Sequence, residues 1–235
     1  MDLNNIKSQF PILQNKINGK RLVYLDNANS SQKPKRVIDR ISKFYSEEFS
    51  NVGRSVHSLA VTATNRFEET RDLLKKYINA RSREEIIFTK NATEAINLVA
   101  STYGDKFIKK GDEILLTELE HHANYVPWHF IREKKGAVIK FAKCNEKGEV
   151  DIDEIKKLIT KKTKIIAVTH LSNVTGAILP IKKIVDLAKA KKIPVLVDGC
   201  QGAPHLKIDM QELGCDFYAI SCHKMYGPNG LGILY

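Results

Sequence analysis

Of the 235 residues, 43% are hydrophobic and 8% aromatic, enough to bury a full core, so we do not expect a disordered chain. The lysines behind the net charge of +11 occur as scattered pairs without interleaved aromatic residues, so we expect no nucleic-acid partner. No apolar run is long enough to span a bilayer and the first residues lack a signal-peptide pattern, so we expect a cytoplasmic protein with no membrane partner.

The chain alternates short apolar runs with segments of helical periodicity. The predicted strands are Leu22–Leu25, Ile86–Thr89, Glu113–Thr117, Val138–Phe141, Ile165–Thr169, Pro194–Val197, Phe217–Ser221 and Gly232–Tyr235. The predicted helices are Pro34–Glu48, Val56–Ile78, Thr93–Ser101, Ala123–Lys134, Ile152–Thr160 and Ile181–Lys191. Strands rich in isoleucine and valine, joined by helical crossovers, predict an α/β fold with a mostly parallel sheet covered by helices on both faces. We expect one domain over residues 1–235, because no linker or repeat interrupts this pattern.

The first candidate motif follows the predicted strand Ile86–Thr89. There, Asn91-Ala92-Thr93-Glu94 precedes an apolar helix, so free backbone N–H groups and the Thr93 hydroxyl could bind a phosphate group. A plain helix start capped by Asn91 is the alternative explanation of the same residues.

Two further motifs follow strands in the middle of the chain. His121 and His122 follow Glu113–Thr117, and an imidazole there could stack on a flat cofactor ring or carry protons. Two ordinary helix-start histidines are the alternative. Asn173 follows Ile165–Thr169 and could donate a hydrogen bond to a phenolate oxygen, or be an ordinary turn residue.

A metal site is not predicted. Adjacent histidines suit one metal ion badly. The four cysteines show no CxxC pairing, so we expect reduced thiols rather than a zinc site or a disulfide framework.

Asp198 and Lys224 each follow a strand that reads as buried. A lysine at such a position can form a Schiff base with pyridoxal phosphate (PLP), and a carboxylate can pair with the pyridinium nitrogen of that cofactor. A helix cap at Asp198 and a surface turn at Lys224 are the alternatives. Because all these motifs follow strands of one parallel sheet, we expect them to meet at one edge, where such folds bind ligands. The sequence therefore predicts a PLP enzyme.

Several segments also occur together in the order of a known family. They are Tyr24–Ala28, Thr93–Val99, Glu120–Asn124, Val126–Trp128, Ser172–Asn173, Val197–Gly199, Cys215–Tyr218, His223–Lys224 and Tyr226–Pro228. With them the chain resembles the class V aminotransferase group, and within it the cysteine desulfurases of the sulfur-mobilisation type. The resemblance implies the large domain of a fold type I PLP-dependent transferase. It also implies that sulfur is removed from L-cysteine to give alanine and a persulfide for iron–sulfur cluster assembly. A selenocysteine lyase, another class V PLP enzyme and a non-catalytic remnant are alternatives.

The resemblance implies a role for individual residues. Lys224 would hold PLP covalently, Asp198 would pair with the ring nitrogen, and His121 would stack over the ring. Lys224 and His121 are thus the expected catalytic residues. The remaining cofactor-binding residues would flank the phenolic oxygen (Asn173 and Gln201) or bind the phosphate group (Thr93, Ser221 and His223).

The resemblance also implies partners. Arg54 and His57 lie in the segment Asn51–Leu59, which looks like the family's active-site loop near the interface of a homodimer. They are therefore candidate substrate-binding residues. A sulfur-acceptor protein would be a further partner.

The chain departs from the family in several places. The family continues into a smaller C-terminal domain that carries the nucleophilic cysteine and the carboxylate-binding arginine. We expect that domain to be absent here and the activity to be impaired by truncation. Single positions differ as well: Gly53 replaces the usual His, Asn29 replaces Ala, Ala92 replaces Thr, and Cys222 replaces Gly.

Overall fold

Nine strands form two sheets in the structure, a computed structural model that describes residues 2–235. The strands are β1 (Lys16–Ile17), β2 (Lys20–Arg21), β3 (Ile87–Thr89), β4 (Glu113–Thr117), β5 (Val138–Ala142), β6 (Thr163–Thr169), β7 (Val195–Asp198), β8 (Phe217–Ser221) and β9 (Gly232–Leu234). Strands β1 and β2 form a small hairpin, and the other seven form one sheet in the order β3-β9-β8-β7-β6-β4-β5. Met1, which the predicted domain includes, lies outside the described residues.

Helices fill most of the connections between strands. The α-helices are α1 (Leu3–Ser8), α2 (Lys35–Lys43), α3 (Ser58–Tyr77), α4 (Ala92–Val99), α5 (Asp105–Phe107), α6 (Val126–Lys135), α7 (Ile152–Leu158), α8 (Ile181–Lys189), α9 (Gly202–His205) and α10 (Met210–Leu213). Short 3₁₀ turns occupy Pro11–Gln14, Arg83–Glu85, His122–Asn124 and Cys222–Lys224, and π-helical turns extend α2 over Phe44–Glu48 and α4 over Ala100–Gly104. Among residues 2–235, no helix is both long enough and apolar enough to cross a membrane.

Six strands of the large sheet run in the same direction. Strands β5, β4, β6, β7 and β8 pair in parallel, whereas β9 pairs antiparallel with both β8 and β3. Because β3 and β8 are both antiparallel to β9, β3 points the same way as the parallel strands. The segments that follow β3, β4, β6, β7 and β8 therefore leave the sheet at one edge. The predicted mostly parallel sheet is confirmed.

Side chains alternate between two apolar cores, one on each face of the sheet. On β4, Leu115 belongs to the core that includes Ile184 of α8, whereas Ile114 belongs to the core that includes Ile96 of α4 and Trp128 of α6. This alternation follows from the two-residue period of a strand. It places helices on both faces, as the sequence predicts.

The predicted strand Leu22–Leu25 is wrong. The β1–β2 hairpin ends at Arg21, and residues 22–25 have no regular secondary structure and no strand partner. Leu25 is 88% exposed, and the Tyr24 hydroxyl donates to the Ser30 carbonyl at 2.6 Å instead of packing into a sheet. An apolar run forms a strand only where another strand offers its backbone groups, and the sequence pattern does not reveal that partner. The other predicted strands and all predicted helices are present, with ends shifted by a few residues.

Candidate active site

The segments that leave β3, β4, β6, β7 and β8 surround one cavity of about 240 Å³. Eight predicted cofactor-binding residues line it: Thr93, His121, Asn173, Asp198, Gln201, Ser221, His223 and Lys224. They come from parts of the chain up to 131 residues apart, which only the shared direction of the strands brings together. The expectation that the motifs converge at one edge is confirmed.

The N-terminus of α4 forms one wall of the cavity. The Asn91 side chain caps the helix by accepting from the Glu94 N–H at 2.8 Å, and the Ser221 hydroxyl accepts from the Ala92 N–H at 2.9 Å. Thr93 lies between these two N–H groups and lines the cavity. Asn91 is thus a cap, as the alternative explanation has it, and the helix end still presents its positive dipole to the cavity, as an anion site requires.

Asp198 ends β7 and is 4% exposed. One carboxyl oxygen accepts from the Cys200 N–H at 3.0 Å, and none of the ion pairs in the described part of the chain includes Asp198. Gln201, not Asp198, is the residue that precedes α9, so the helix-cap alternative is wrong for this carboxyl group. A buried carboxylate without a cation is costly, and the cationic ring nitrogen of PLP would be a partner of opposite charge.

Lys224 lies in the 3₁₀ turn that follows β8, half-buried and lining the cavity. The Cys222 carbonyl accepts from the Met225 N–H at 2.9 Å and from the Gly227 N–H at 3.0 Å, which fixes the turn around the lysine. A side chain at position 227 would meet the Cys222 carbonyl oxygen at 3.0 Å, so the tight turn favours glycine there. A freely solvated surface lysine is therefore not what the structure shows.

His121 is both a turn residue and a wall of the cavity. Its Nδ1 accepts from the Ala123 N–H at 3.1 Å, so the neutral ring carries its proton on Nε2. Burial lowers the pKa of His121, while the opposing charges of Asp198 and Lys224 act on it in opposite directions. A neutral, oriented imidazole suits stacking on a flat ring.

The N-terminal segment closes the cavity from the side of β8. Gln201 Nε2 donates to the Ala28 carbonyl at 2.5 Å, and the His223 carbonyl accepts from both the N–H and the hydroxyl of Ser31, at 3.0 and 2.9 Å. This segment brings Asn29 to the cavity wall. Asn29 was not among the predicted site residues. The resemblance of Tyr24–Ala28 to the family was the signal that could have indicated it.

Cys200 is a further residue of the cavity wall that was not among the predicted site residues. Burial and then the negative charge of Asp198 raise the pKa of its thiol well above the ordinary value, so the thiol keeps its proton. Its position two residues after Asp198, in the same strand exit, was the available signal.

Arg54 and His57 do not line this cavity. His57 caps α3 instead, with its Nδ1 accepting from the Ala60 N–H at 3.3 Å. The assignment of these two residues to substrate binding stays a prediction.

Comparison with known proteins finds relatives that are named cysteine desulfurase. A probable cysteine desulfurase from Halalkalibacterium halodurans is 47% identical over 235 residues, a match that covers 100% of this chain and 58% of that protein. The crystal structure of the Escherichia coli cysteine desulfurase CsdA, as the S-sulfonic acid, has a TM-score of 0.90 and 38% identity, covering 100% of this chain and 58% of that one. The apo cysteine desulfurase from Thermococcus onnurineus has a TM-score of 0.92 and 36% identity, with coverage of 100% and 57%.

The chain thus spans less than two thirds of the length of these relatives, and its α/β fold is theirs. The model of the family described as aminotransferase class-V, a PLP-dependent family, matches residues 23–235. The chain belongs to the aminotransferase class-V family.

Proposed function

We propose that this chain forms one PLP-binding domain and acts in the desulfuration of L-cysteine, in which an acceptor thiol takes up the sulfur as a persulfide and alanine is released. The observation that carries the proposal is the buried Asp198 carboxylate, without a cationic partner in the described chain, in the same cavity as Lys224 and the N-terminus of α4. Bound PLP supplies an electron sink for the α-carbon of an amino-acid substrate. The relatives named cysteine desulfurase support the choice of substrate.

Three residues are proposed to hold the reactive ring. Lys224 binds the aldehyde carbon covalently through its amine, Asp198 holds the ring nitrogen in its protonated form, and His121 packs against the ring face. The Nε2–H of His121 is a donor that could also move a proton near the substrate.

The other cavity residues are proposed to orient the cofactor. Asn173 and Gln201 offer amide groups to the phenolic oxygen. Gln201 already donates one N–H to Ala28, which fixes its side chain. The phosphate is bound by Thr93, by the Ser221 hydroxyl proton, which its bond to Ala92 leaves free, and by His223.

The proposal extends to partners and to location. We propose a homodimer, because large apolar side chains such as Tyr45, Phe49 and Val56 are exposed around the segment 51–59 that holds Arg54 and His57. Those two residues are proposed to contact the substrate at that interface. A sulfur-acceptor protein in iron–sulfur cluster assembly would receive the persulfide sulfur. Four free thiols suit a reducing compartment, which supports a cytoplasmic location.

Labelling of the lysine tests the cofactor part of the proposal. After incubation with PLP and reduction with borohydride, peptide mass mapping should find the pyridoxyl group on Lys224. Lys33 is the informative competitor, because burial lowers its pKa and its Nζ lies 2.8 Å from the His223 carbonyl. A label on Lys33 contradicts the assignment. So does a labelling pattern that Lys224→Ala leaves unchanged.

The reaction is tested separately by its product. With an added thiol to accept the sulfur, alanine formed from L-cysteine should exceed the amounts formed with free PLP and with Lys224→Ala. Preference for L-selenocysteine would point to a lyase instead. A labelled Lys224 without alanine formation above both controls would overturn the desulfuration part and leave the cofactor part standing.

A further inference from the structure

The carboxyl group of Glu120 bridges the exits of β4 and β6. Its Oε1 accepts from the Thr117 hydroxyl at 2.6 Å and from the Thr169 N–H at 3.0 Å. Its Oε2 accepts from the Asn124 amide at 2.7 Å. Thr117 and Thr169 are the last residues of β4 and β6, so one side chain connects two strand ends that border the cavity.

Groups that can only donate fix the direction of the hydrogen bonds around Glu120. The indole N–H of Trp128 can only donate, and it donates to the Asn124 Oδ1 at 3.2 Å. The Asn124 amide must therefore turn its NH₂ group towards Glu120. The Thr169 N–H, a backbone group, can also only donate. Both oxygens of Glu120 must therefore accept, which a carboxyl group can do and an amide cannot.

Thr117 is the partner that can reverse its role. Its hydroxyl oxygen already accepts from the Leu119 N–H at 3.2 Å and can either donate to Glu120 or accept a proton from it. The carboxyl group can thus keep all its partners in either protonation state. Burial raises the pKa of Glu120 to about 8, and the negative charge of Asp198 adds to this effect.

The elements that this bridge joins carry cavity residues on both sides. His121 follows Glu120 directly, and Thr169 begins the loop that leads to Leu171 and Asn173, all of them in the cavity wall. Asn124 and Trp128 are fully buried, so the bridge is anchored in the core. We propose that Glu120 is a positioning residue that holds the His121 wall and the Asn173 wall of the cavity at a fixed separation.

This inference rests on the proposed function, because the separation matters for a ring held between these walls. Misplacement of reacting groups by about 1 Å is enough to slow a reaction about a hundredfold. The bridge itself can be tested without PLP.

Glu120→Gln is the first test. The glutamine must direct its NH₂ group either at the Asn124 NH₂ or at the Thr169 N–H, so one buried donor loses its acceptor. We expect PLP affinity to fall by about tenfold or more, and amide exchange at Thr169 in the PLP-free protein to accelerate by about tenfold. Glu118→Gln is the matched control, because that exposed glutamate accepts from the Cys144 N–H and has no contact with the bridge. It should leave both quantities unchanged.

Trp128→Phe supplies a rescue that a merely structural role of Glu120 does not predict. Without the indole N–H, Asn124 can turn over and offer its oxygen to the glutamine NH₂ group. In the Trp128→Phe background, Glu120→Gln should therefore weaken PLP binding by less than about threefold. The acceleration of Thr169 amide exchange by Glu120→Gln should likewise be smaller in the Trp128→Phe background.

The outcomes separate this inference from the proposed function. Unchanged Thr169 exchange in Glu120→Gln, or equal losses of PLP affinity in both backgrounds, would overturn the bridge. If the unaltered chain takes up no PLP, the proposed function fails and the role of the bridge in cofactor binding fails with it. Thr169 exchange would then still decide whether the bridge exists.

Discussion

The two edges of the seven-stranded sheet carry polar residues of different kinds. At the cavity edge, groups such as Asp198 and Glu120 are withdrawn from water and are held by hydrogen bonds without a cationic partner in the described chain. At the opposite edge, lysine pairs precede the strands and are mostly exposed: Lys109-Lys110 before β4, Lys134-Lys135 before β5, Lys161-Lys162 before β6 and Lys191-Lys192 before β7. The cavity edge thus carries polar groups that are withdrawn from water and lack a cationic partner, whereas the opposite edge carries lysines that are mostly exposed to solvent.

The difference follows from the direction of the helices. In this fold the helices end at the edge where the next strand begins, so their C-termini face the lysine edge, as with Lys134 and Lys135 in the last turn of α6. Cations near helix C-termini are favourable, and these lysines contribute to the net charge of +11. The helix N-termini, with their opposite polarity, face the cavity.

The largest effect that would sharpen this contrast is expected from Asp198→Ala. Removal of the carboxylate leaves the proposed cationic ring nitrogen without its buried partner, a loss of about 3–5 kcal/mol, so PLP affinity should fall more than a hundredfold. Equilibrium dialysis and the absorbance of bound PLP measure this. The PLP-free variant should unfold at higher denaturant concentration than the unaltered chain, because the buried, unpaired charge is gone.

Asp112→Ala at the lysine edge is the control for that change. Asp112 pairs with Lys164 at 3.9 Å and belongs to no part of the cavity. Its loss should leave PLP binding as it was. Equal losses of affinity in the two variants would contradict the special role of Asp198.

The pH dependence of stability should also differ between the edges. Because burial raises the pKa of Glu120 from 4.5 to about 8, the folded chain binds a proton that the unfolded chain releases. The contribution of Glu120 to the free energy of unfolding should therefore fall as pH rises from about 4.5 to about 8, and Glu120→Gln should remove this contribution. Urea unfolding at pH 5 and pH 8 compares the two chains.

Asp105 at the lysine edge should behave in the opposite way. Hydrogen bonds from Lys134 and Lys135 lower its pKa from 3.8 to about 2, so its stabilising effect is present above pH 3.8 and is lost as pH falls towards 2. Asp105→Asn should therefore change acid unfolding and leave the interval from pH 5 to pH 8 unaffected. A change in that interval would break the comparison.

A smaller loss is expected from Gly199→Ala behind the cavity. The added Cβ would lie 1.8 Å from the buried Tyr218 ring, so the backbone after Asp198 must shift, at about 1–3 kcal/mol of stability. Gly104→Ala is the matched control, because there the nearest side-chain atoms lie at 3.4–3.5 Å. That change should be neutral or slightly stabilising. Thermal unfolding of both variants decides, and equal melting temperatures would contradict the prediction.

The smallest effect is expected from single lysines at the opposite edge. Lys134→Ala removes a pair with Asp105 at 2.8 Å that Lys135 duplicates at 2.9 Å, so the denaturant midpoint of unfolding should hardly change and PLP binding not at all. Urea unfolding and dialysis measure both. Weakened PLP binding would show that the two edges are coupled.

The sequence predicted the cavity edge well because strand exits obey a topological rule. Asp198 and Lys224 each follow an apolar run, and parallel direction alone brings them to one edge. The Glu120 bridge could not be predicted in this way. Its function depends on which atoms donate and which accept across Thr169 and Trp128, and no spacing in the chain encodes that direction. The predicted strand Leu22–Leu25 was wrong for a related reason, since a strand needs a partner that its own sequence does not name.

The antiparallel strand β9 has a consequence for the order in which this protein is built. Strand β3 joins the sheet through β9, and Gly232 lets the backbone of Asn91 approach so closely that a Cβ would lie 2.4 Å away. During synthesis, β3 and α4 emerge more than a hundred residues before that partner does. The wall proposed to bind phosphate must therefore wait, undocked, until residues 232–234 leave the ribosome, so the binding cavity is completed late in translation.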